Sequence, residues 1–178
     1  AIMNLNVVFA MDRAGIVGED GETHQGAFDV SFLAPLPNLT LLAPRDEAMM
    51  RAVMDYAYSH KGCLAFRYPR GAFLLDDEFG AVKIKLGKAQ ILRENSSQIA
   101  FLGYGQGVGT AKLVLDECEK KGEKDYANLV DLIFAKPLDE TLLANLAQKT
   151  KIWFVFSPSA KIGGVGSLIT SFLQRANL

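Results

Sequence analysis

The chain has 178 residues, of which 49% are hydrophobic and 22% are charged, and its formal net charge is -1. This profile is typical of an ordinary globular chain with a sizeable core, and it provides no overall field that would recruit nucleic acid or an acidic membrane. Two cysteines and two histidines are too few for a disulfide framework or a structural zinc site, and no apolar run could cross a membrane, so we expect a cytoplasmic protein.

The first half of the chain alternates strands with helices, as a βαβ protein does. Strands are predicted at residues 5–10, 39–42 and 63–66, a short helix near 28–33, and a longer helix that is capped by Asp46. Pro69 and Gly71 prevent regular structure from continuing beyond the third strand. Ala1-Ile2-Met3 leads directly into the first strand with no initiating segment, and we therefore expect this chain to be a piece of a longer protein.

A new alternation begins after residues 71–88, where the pattern is lost and the glycines and acidic residues predict a linker, with a short strand at 82–86 as an option. Beyond the linker, strands are predicted at 89–92, 99–104, 126–131 and 151–157, and helices at 107–121, 139–149 and 164–175. Gly122 is placed to end the first of these helices, and Asp139 to cap the second. The predicted fold class is therefore α/β, with two units joined near residues 75–88, each with a mostly parallel sheet and right-handed crossovers.

Residues 12–26, which follow the first strand, hold four glycines among charged side chains. Glycines let the backbone turn sharply and come close to a ligand. In open α/β sheets, ligands bind at the carboxyl edge, to which this strand delivers its loop. Arg13, Asp20 and His24 are side chains that can bind an anion or move a proton. The loop is therefore the candidate functional site.

Several segments of the chain resemble one enzyme family. Asp-Arg-Ala-Gly-Ile-Val-Gly-Glu-Asp-Gly-Glu-Thr-His-Gln-Gly-Ala-Phe-Asp (12–29) is similar to the 1-deoxy-D-xylulose-5-phosphate synthase family, whose members are thiamine-diphosphate-dependent relatives of transketolase. Ala-Pro-Arg-Asp-Glu (43–47) and Arg-Tyr-Pro-Arg-Gly (67–71) resemble the same family. Weaker similarities to its carboxyl-terminal domain follow in Leu-Gly-Tyr-Gly (102–105), Ala-Lys-Pro-Leu-Asp (135–139) and Ile-Gly-Gly-Val-Gly-Ser (162–167).

The resemblance implies a domain layout. Residues 1–80 would be the end of a transketolase-type pyrimidine-binding domain, 81–88 a linker, and 89–178 a transketolase C-terminal-like domain. The ligands of the metal and the diphosphate, and the glutamate that activates the cofactor, would lie outside this chain. Thiamine diphosphate and Mg2+ would thus act in the full-length parent, a homodimer, whereas the chain alone would hold no cofactor or metal and would be inactive.

The resemblance also implies a reaction, in which pyruvate and glyceraldehyde 3-phosphate condense with loss of CO2 to give 1-deoxy-D-xylulose 5-phosphate. A phosphorylated acceptor needs fixed cations, and a guanidinium can donate two parallel hydrogen bonds to an oxyanion. Arg13 and Arg70 follow two strands of one predicted parallel sheet, so they could converge on one phosphate, and they match the family's phosphate-binding arginines. An alternative for Arg13 is an ion pair with Asp12 or Asp29. Arg67 competes with Arg70 as the ligand, although a pair with a carboxylate inside the fold is expected for it.

Asp20 and His24 are four residues apart, so both would face the same way if the loop turned helically. His24 could donate to the acceptor's carbonyl or relay a proton, and Asp20 could orient the imidazole or bind a substrate hydroxyl. The resemblance places both residues in the family's active site, near cofactor and substrate. The alternative is an aspartate that stabilises the loop and an exposed histidine.

A second glycine-rich segment, 103–109, follows a strand and opens a helix, as dinucleotide-binding loops do. Val108 stands where the third glycine of such a loop would be. Tight packing between strand and helix therefore explains these glycines better than nicotinamide binding does.

Other functions and contacts stay open at this point. The chain could come from another thiamine-diphosphate enzyme, such as transketolase or the β subunit of a 2-oxo-acid dehydrogenase, or it could be a free-standing regulatory module that binds phosphate. Residues 153–156 form a strongly apolar strand, which suits either a subunit contact or the core.

Overall fold

The computed structural model describes residues 1–3, 5–80 and 83–178, and eight strands and five α-helices lie in these ranges. The strands are β1 (Val7–Met11), β2 (Leu39–Leu42), β3 (Cys63–Arg67), β4 (Gln90–Arg93), β5 (Ile99–Gly103), β6 (Asn128–Asp131), β7 (Phe134–Lys136) and β8 (Ile152–Phe156). The helices are α1 (Asp29–Leu33), α2 (Glu47–Ser59), α3 (Gln106–Lys120), α4 (Glu140–Lys149) and α5 (Val165–Arg175). No helix within the described residues is both long and apolar enough to cross a membrane.

The strands form two four-stranded sheets. In the first sheet the order is β1-β3-β2-β7, with β7 antiparallel to β2 and the other neighbours parallel. In the second sheet the order is β4-β6-β5-β8, with β4 antiparallel to β6 and the other neighbours parallel. The predicted α/β class with two mostly parallel sheets is therefore confirmed.

Most predicted elements are present, with ends that differ by one or two residues. The Asp46 side chain accepts a hydrogen bond from a backbone N–H of α2 at 2.7 Å, and Asp139 does the same in α4 at 3.1 Å. Gly122, with φ of 87°, follows the end of α3 as predicted. Of the optional strand before β4, residues 83–86 are not in a strand, and Val82 lies outside the described residues.

The strand β7 was missed by the sequence patterns, and it crosses from the second half of the chain into the first sheet. It pairs with β2, where Leu42 lies opposite Phe134. The turn before it is held by Asp131, whose side chain accepts a hydrogen bond from Ile133 N at 2.9 Å. A three-residue strand is too short to show a hydrophobic period, so its pairing could be seen only in three dimensions.

One of the buried hydrophobic clusters spans both sheets. Leu41 and Ala65 of the first sheet belong to the same buried cluster as Leu102 and Val130 of the second sheet. Burial of apolar side chains between the sheets stabilises their packing in proportion to the area removed from water. The two units therefore pack against each other through this cluster, and two further buried clusters lie beside it, one around β2, β3 and α2 and one around β5, β6 and α3.

Arg45, three residues after β2, is fully buried and joins the two units. Its Nε lies 2.8 Å from a carboxylate oxygen of Asp46, and a terminal nitrogen lies 2.8 Å from a carboxylate oxygen of Asp131 in β6. The other terminal nitrogen donates to Gly80 O at 2.6 Å. Burial raises the pKa of Asp131 to about 6, although the Arg45 guanidinium opposes this shift. The guanidinium is thus the main counter-charge of a carboxylate that water does not reach.

β1 and β8 form two sheet edges that carry exposed apolar side chains. Val8 and Phe9 of β1 are 44% and 50% exposed, and Ile152 and Phe154 of β8 are 52% and 48% exposed. The apolar strand predicted at 153–156 is therefore not a pure core strand. Its exposed side chains suit a contact with another chain or segment.

Candidate functional site

The loop 12–26 is closed at its base by backbone hydrogen bonds. Gly26 N donates to Arg13 O at 3.0 Å, and Gly15 N donates to Gly26 O at 3.0 Å. A β-carbon at Gly26 would lie 2.3 Å from Arg13 O, so a side chain at this position would prevent the closure. The first and last glycines therefore serve the local structure of the loop.

Gln25 fixes the interior of the loop and was not singled out from the sequence. Its side-chain amide accepts from Val17 N at 2.6 Å and donates to Val17 O at 2.8 Å and to Gly21 O at 2.6 Å. A glutamine that satisfies three backbone groups takes the place of the hydrogen bonds that a helix or strand would make. Its place directly before the closing glycine is the one signal that the sequence offers.

The first sheet places this loop beside the segment that follows β3. β1 and β3 are parallel neighbours, with Met11 opposite Arg67, so their carboxyl ends meet at one edge. Beyond the strands, Tyr68 N donates to Met11 O and Ala14 N donates to Tyr68 O, each at 2.9 Å. Backbone pairing therefore continues past the sheet and brings the two loops together.

Arg13 and Arg70 meet at the carboxylate of Asp20. The Nε atom of Arg13 lies 2.7 Å from one carboxylate oxygen, and a terminal nitrogen of Arg70 forms an ion pair with the other oxygen. The Asp20 side chain is 10% exposed, whereas those of Arg13 and Arg70 are 34% and 43% exposed. The structure thus brings the two arginines to a single anionic group at the carboxyl edge of the sheet.

Two further carboxylates lie near the arginine pair. Asp12 forms an ion pair with Arg13, as the sequence allowed, and Glu19 lies 3.9 Å from Arg70. Both carboxylates are mostly exposed, and ion pairs in water contribute little. In residues 1–3, 5–80 and 83–178, no three His, Cys, Asp or Glu side chains are grouped to hold a metal ion. The two guanidinium groups are thus paired with three carboxylates of the chain itself.

His24 is not bonded to Asp20, contrary to the orientation considered from their spacing. A 3-10 turn, Gly18–Asp20, ends at the aspartate, and Gly21 with φ of 70° takes the backbone out of the helical conformation. The two side chains therefore do not share a helical face. The His24 ring is exposed, and its Nδ1 lies 2.9 Å from the hydroxyl of Thr23.

Arg67 is buried and belongs to the framework below the site. Its Nε lies 2.9 Å from a carboxylate oxygen of Asp29, and a terminal nitrogen donates to Gly26 O at 2.6 Å and to Pro158 O at 2.8 Å. Burial raises the pKa of Asp29, and the Arg67 guanidinium opposes this shift. The expected pair of Arg67 with an internal carboxylate is confirmed, and Asp29 is consequently not the partner of Arg13.

The second unit supports the base of the loop through the segment between β8 and α5. Ala160 N donates to Ala27 O at 2.7 Å, and Ser31 Oγ donates to Ile162 O at 2.9 Å. Together with the bond from Arg67 to Pro158 O, these contacts anchor the loop from both sides. The shape of the site therefore depends on both units.

The glycine-rich segment 103–109 serves packing. A β-carbon at Gly103 would lie 2.6 Å from the Cα atom of Val108, and one at Gly107 would lie 1.9 Å from Phe156 O. Strand and helix thus approach too closely for any side chain at these positions. The interpretation of these glycines as packing residues is confirmed.

Comparison with known protein families gives a match for each half of the chain. Residues 1–74 match the model described as the pyrimidine binding domain of transketolase, and residues 87–178 match that of the transketolase C-terminal domain. A 1-deoxy-D-xylulose-5-phosphate synthase of Campylobacter jejuni strain RM1221 is 69% identical over 100% of this chain, and one of Campylobacter hominis is 53% identical over 98%. The chain spans 29% and 28% of the length of these curated relatives.

Solved structures show the same fold. A chain described as a split gene transketolase, in an inactive beta4 tetramer, superposes with a TM-score of 0.84 and 25% identity, covering 98% of this chain and 56% of its own length. The transketolase of Campylobacter jejuni superposes with a TM-score of 0.60 and 24% identity, covering 94% of this chain and 31% of its own length.

Proposed function

The chain belongs to the transketolase family, and we propose that it is the carboxyl-terminal part of a 1-deoxy-D-xylulose-5-phosphate synthase. Proteins of that name match the chain over its whole length at up to 69% identity, whereas the two transketolase structures are 25% and 24% identical to it. In this proposal residues 1–80 end the pyrimidine-binding domain, 81–88 form a linker, and 89–178 form the C-terminal domain.

The proposed reaction joins pyruvate to glyceraldehyde 3-phosphate, with loss of CO2, to form 1-deoxy-D-xylulose 5-phosphate. In it, Arg13 and Arg70 bind the phosphate of the acceptor. The observation that carries this assignment is the convergence of both guanidinium groups on one anionic group, with 34% and 43% of their side chains still exposed. Planar guanidinium forks from two loops can hold a phosphate from two directions.

We assign the catalytic roles in this site to His24 and Asp20. His24 is exposed on the loop, where an imidazole can donate to a substrate oxygen or relay a proton. Asp20 is available for a substrate hydroxyl once its bonds to the arginines open. These roles require the loop to rearrange around the substrate, because the two side chains are not bonded to each other in this structure.

Thiamine diphosphate and Mg2+ belong to the proposed parent enzyme, where the cofactor supplies the carbanion chemistry. The described part of this chain does not fit the metal, because it lacks a group of carboxylates that could bind one. We assign the metal and diphosphate sites to the part of the relatives that this chain does not span. The parent is proposed to be a cytoplasmic homodimer, and the exposed edges of β1 and β8 are candidate contacts.

The phosphate assignment can be tested in the complete enzyme encoded by the reading frame that contains this chain. Arg13→Ala and Arg70→Ala are each expected to raise the apparent KM for glyceraldehyde 3-phosphate by roughly ten- to a hundredfold, because each removes a charge-assisted hydrogen bond to the phosphate. The apparent KM for pyruvate should change little. Steady-state measurement of deoxyxylulose phosphate formation reports both constants.

Arg51→Ala is the matched control for these variants. Arg51 lies on α2, is 73% exposed, and pairs with Glu47 away from the site, so its loss should leave both KM values unchanged. Wild-type KM values for glyceraldehyde 3-phosphate in both site variants would refute the phosphate role of the arginine pair.

The chain alone is expected to show no thiamine-dependent consumption of pyruvate, because the proposed cofactor-activating groups lie elsewhere in the parent. The inactive beta4 tetramer of the similar split gene transketolase supports this expectation. The measurement is pyruvate consumption by the purified chain with thiamine diphosphate and Mg2+ added. Turnover that depends on thiamine diphosphate would contradict the proposed division of the enzyme.

A further inference from the structure

Asp20 occupies the position that an anionic ligand of Arg13 and Arg70 would take. Each oxygen of its carboxylate is bonded to a different arginine, and the side chain is nine-tenths buried between them. Both guanidinium groups thus already hold an anion that is part of the protein. A substrate phosphate can reach the same donors only when this carboxylate leaves them.

The loop keeps the Asp20 carboxylate close to the arginines. Asp20 N donates to Val17 O at 3.2 Å, and Gln25 bonds to both backbone groups of Val17. Because the aspartate is tethered and held in this geometry, it competes with a free anion as a ligand of high effective concentration. Its effect is to lower the affinity of the arginine pair for every external anion by one common factor.

A common factor leaves the ratio of the affinities unchanged, but it raises the concentration that every anion needs to occupy the arginine pair, so only the most strongly bound anions still reach occupancy. A phosphate monoester carries a charge of roughly −1.5 to −2 at neutral pH and has three acceptor oxygens. It can therefore form stronger hydrogen bonds with both guanidinium groups than a carboxylate does. A monocarboxylate offers the arginines only what Asp20 already provides. Displacing Asp20 therefore gives a monocarboxylate little net binding free energy, and at ordinary concentrations it leaves the arginine pair mostly occupied by Asp20.

We propose that Asp20 is an internal competitor that reserves the Arg13–Arg70 pair for phosphate monoesters and keeps monocarboxylates out. This inference rests on the phosphate role proposed above for the two arginines. In the proposed reaction the donor, pyruvate, is itself a monocarboxylate. The competitor thus prevents the donor from occupying the anion site of the acceptor.

The test is calorimetric titration of the complete enzyme with inorganic phosphate and, separately, with acetate, which requires no turnover. Asp20→Asn keeps the size of the side chain but removes its charge, and it is expected to raise the affinity for both anions by about tenfold or more. A positioning role for Asp20 predicts the opposite sign, because arginines without their carboxylate would lose their alignment. Asp20→Ala is measured alongside, with circular dichroism to verify that both variants fold.

Asp12→Asn is the matched control. Asp12 also pairs with Arg13 but is 53% exposed and does not reach Arg70, so its loss should change either affinity by less than about twofold. Unchanged or weakened phosphate binding in both Asp20 variants overturns the competitor inference. Arg13→Ala separates the two proposals: if it binds phosphate as the wild type does, the phosphate role of the arginines is wrong instead.

Discussion

Replacing Arg67 by methionine is expected to lower the free energy of unfolding of the chain by roughly 3–5 kcal/mol, the range for breaking a buried ion pair from one side. The substitution leaves the Asp29 carboxylate, 3% exposed, without its counter-charge. It also removes the donor that serves Gly26 O and Pro158 O. Urea unfolding monitored by circular dichroism measures the change.

Two comparisons sharpen the Arg67 experiment. Arg51→Met alters an exposed arginine with a single surface partner, and its cost should stay below about 1 kcal/mol. Arg67→Lys retains the charge but cannot reach three partners in the geometry of a planar fork, so an intermediate loss is expected. An Arg67→Met variant as stable as the Arg51 control would show that the buried pair does not hold the framework.

Replacing Arg45 by methionine is expected to cost roughly 3–5 kcal/mol near pH 8 and clearly less near pH 5. The Asp131 carboxyl, whose pKa burial raises to about 6, loses the guanidinium that opposes this shift, so its pKa rises further in the variant. In the folded variant the Asp131 carboxylate can then bind a proton at mildly acidic pH, which removes the unpaired buried charge. Urea unfolding at both pH values gives the two costs.

The sign follows from proton linkage. Asp131 binds its proton more tightly in the folded chain than in the unfolded chain, where its ordinary pKa is 3.8. Its contribution to stability is therefore fully present below that pKa and is lost as the pH rises through about 6. The double variant Arg45→Met/Asp131→Asn should lose the part of the pH dependence that Asp131 contributes, whereas Asp46, which also pairs with Arg45 and whose pKa burial raises, keeps its own part. An equal cost of Arg45→Met at both pH values would argue against this account.

Much of the fold could be predicted from the sequence because local signals and tertiary packing agree along most of the chain. The cap residues Asp46 and Asp139 and the stop at Gly122 fixed helix ends that the structure shows. The antiparallel strand β7 could not be predicted, because three residues carry no period. The burial of Arg45 was equally invisible, since its partner in β6 is 86 positions away in sequence.

The candidate site was predictable where it depends on sheet topology and not where it depends on loop geometry. Arg13 and Arg70 follow neighbouring parallel strands, and that alone brings them to one edge. Spacing suggested that Asp20 would face His24, yet Gly21 redirects the chain and the aspartate binds the arginines instead. Local sequence patterns do not predict the direction in which the backbone of a glycine-rich loop turns.

The crossing of β7 into the first sheet has a consequence for dissecting this protein. If residues 1–80 were produced apart from the rest, β2 would present an open edge, and the remaining half would carry a strand with no sheet to join. Neither piece would be a self-sufficient module. When mixed, the two pieces should associate, because β7 of the second piece can pair with β2 of the first.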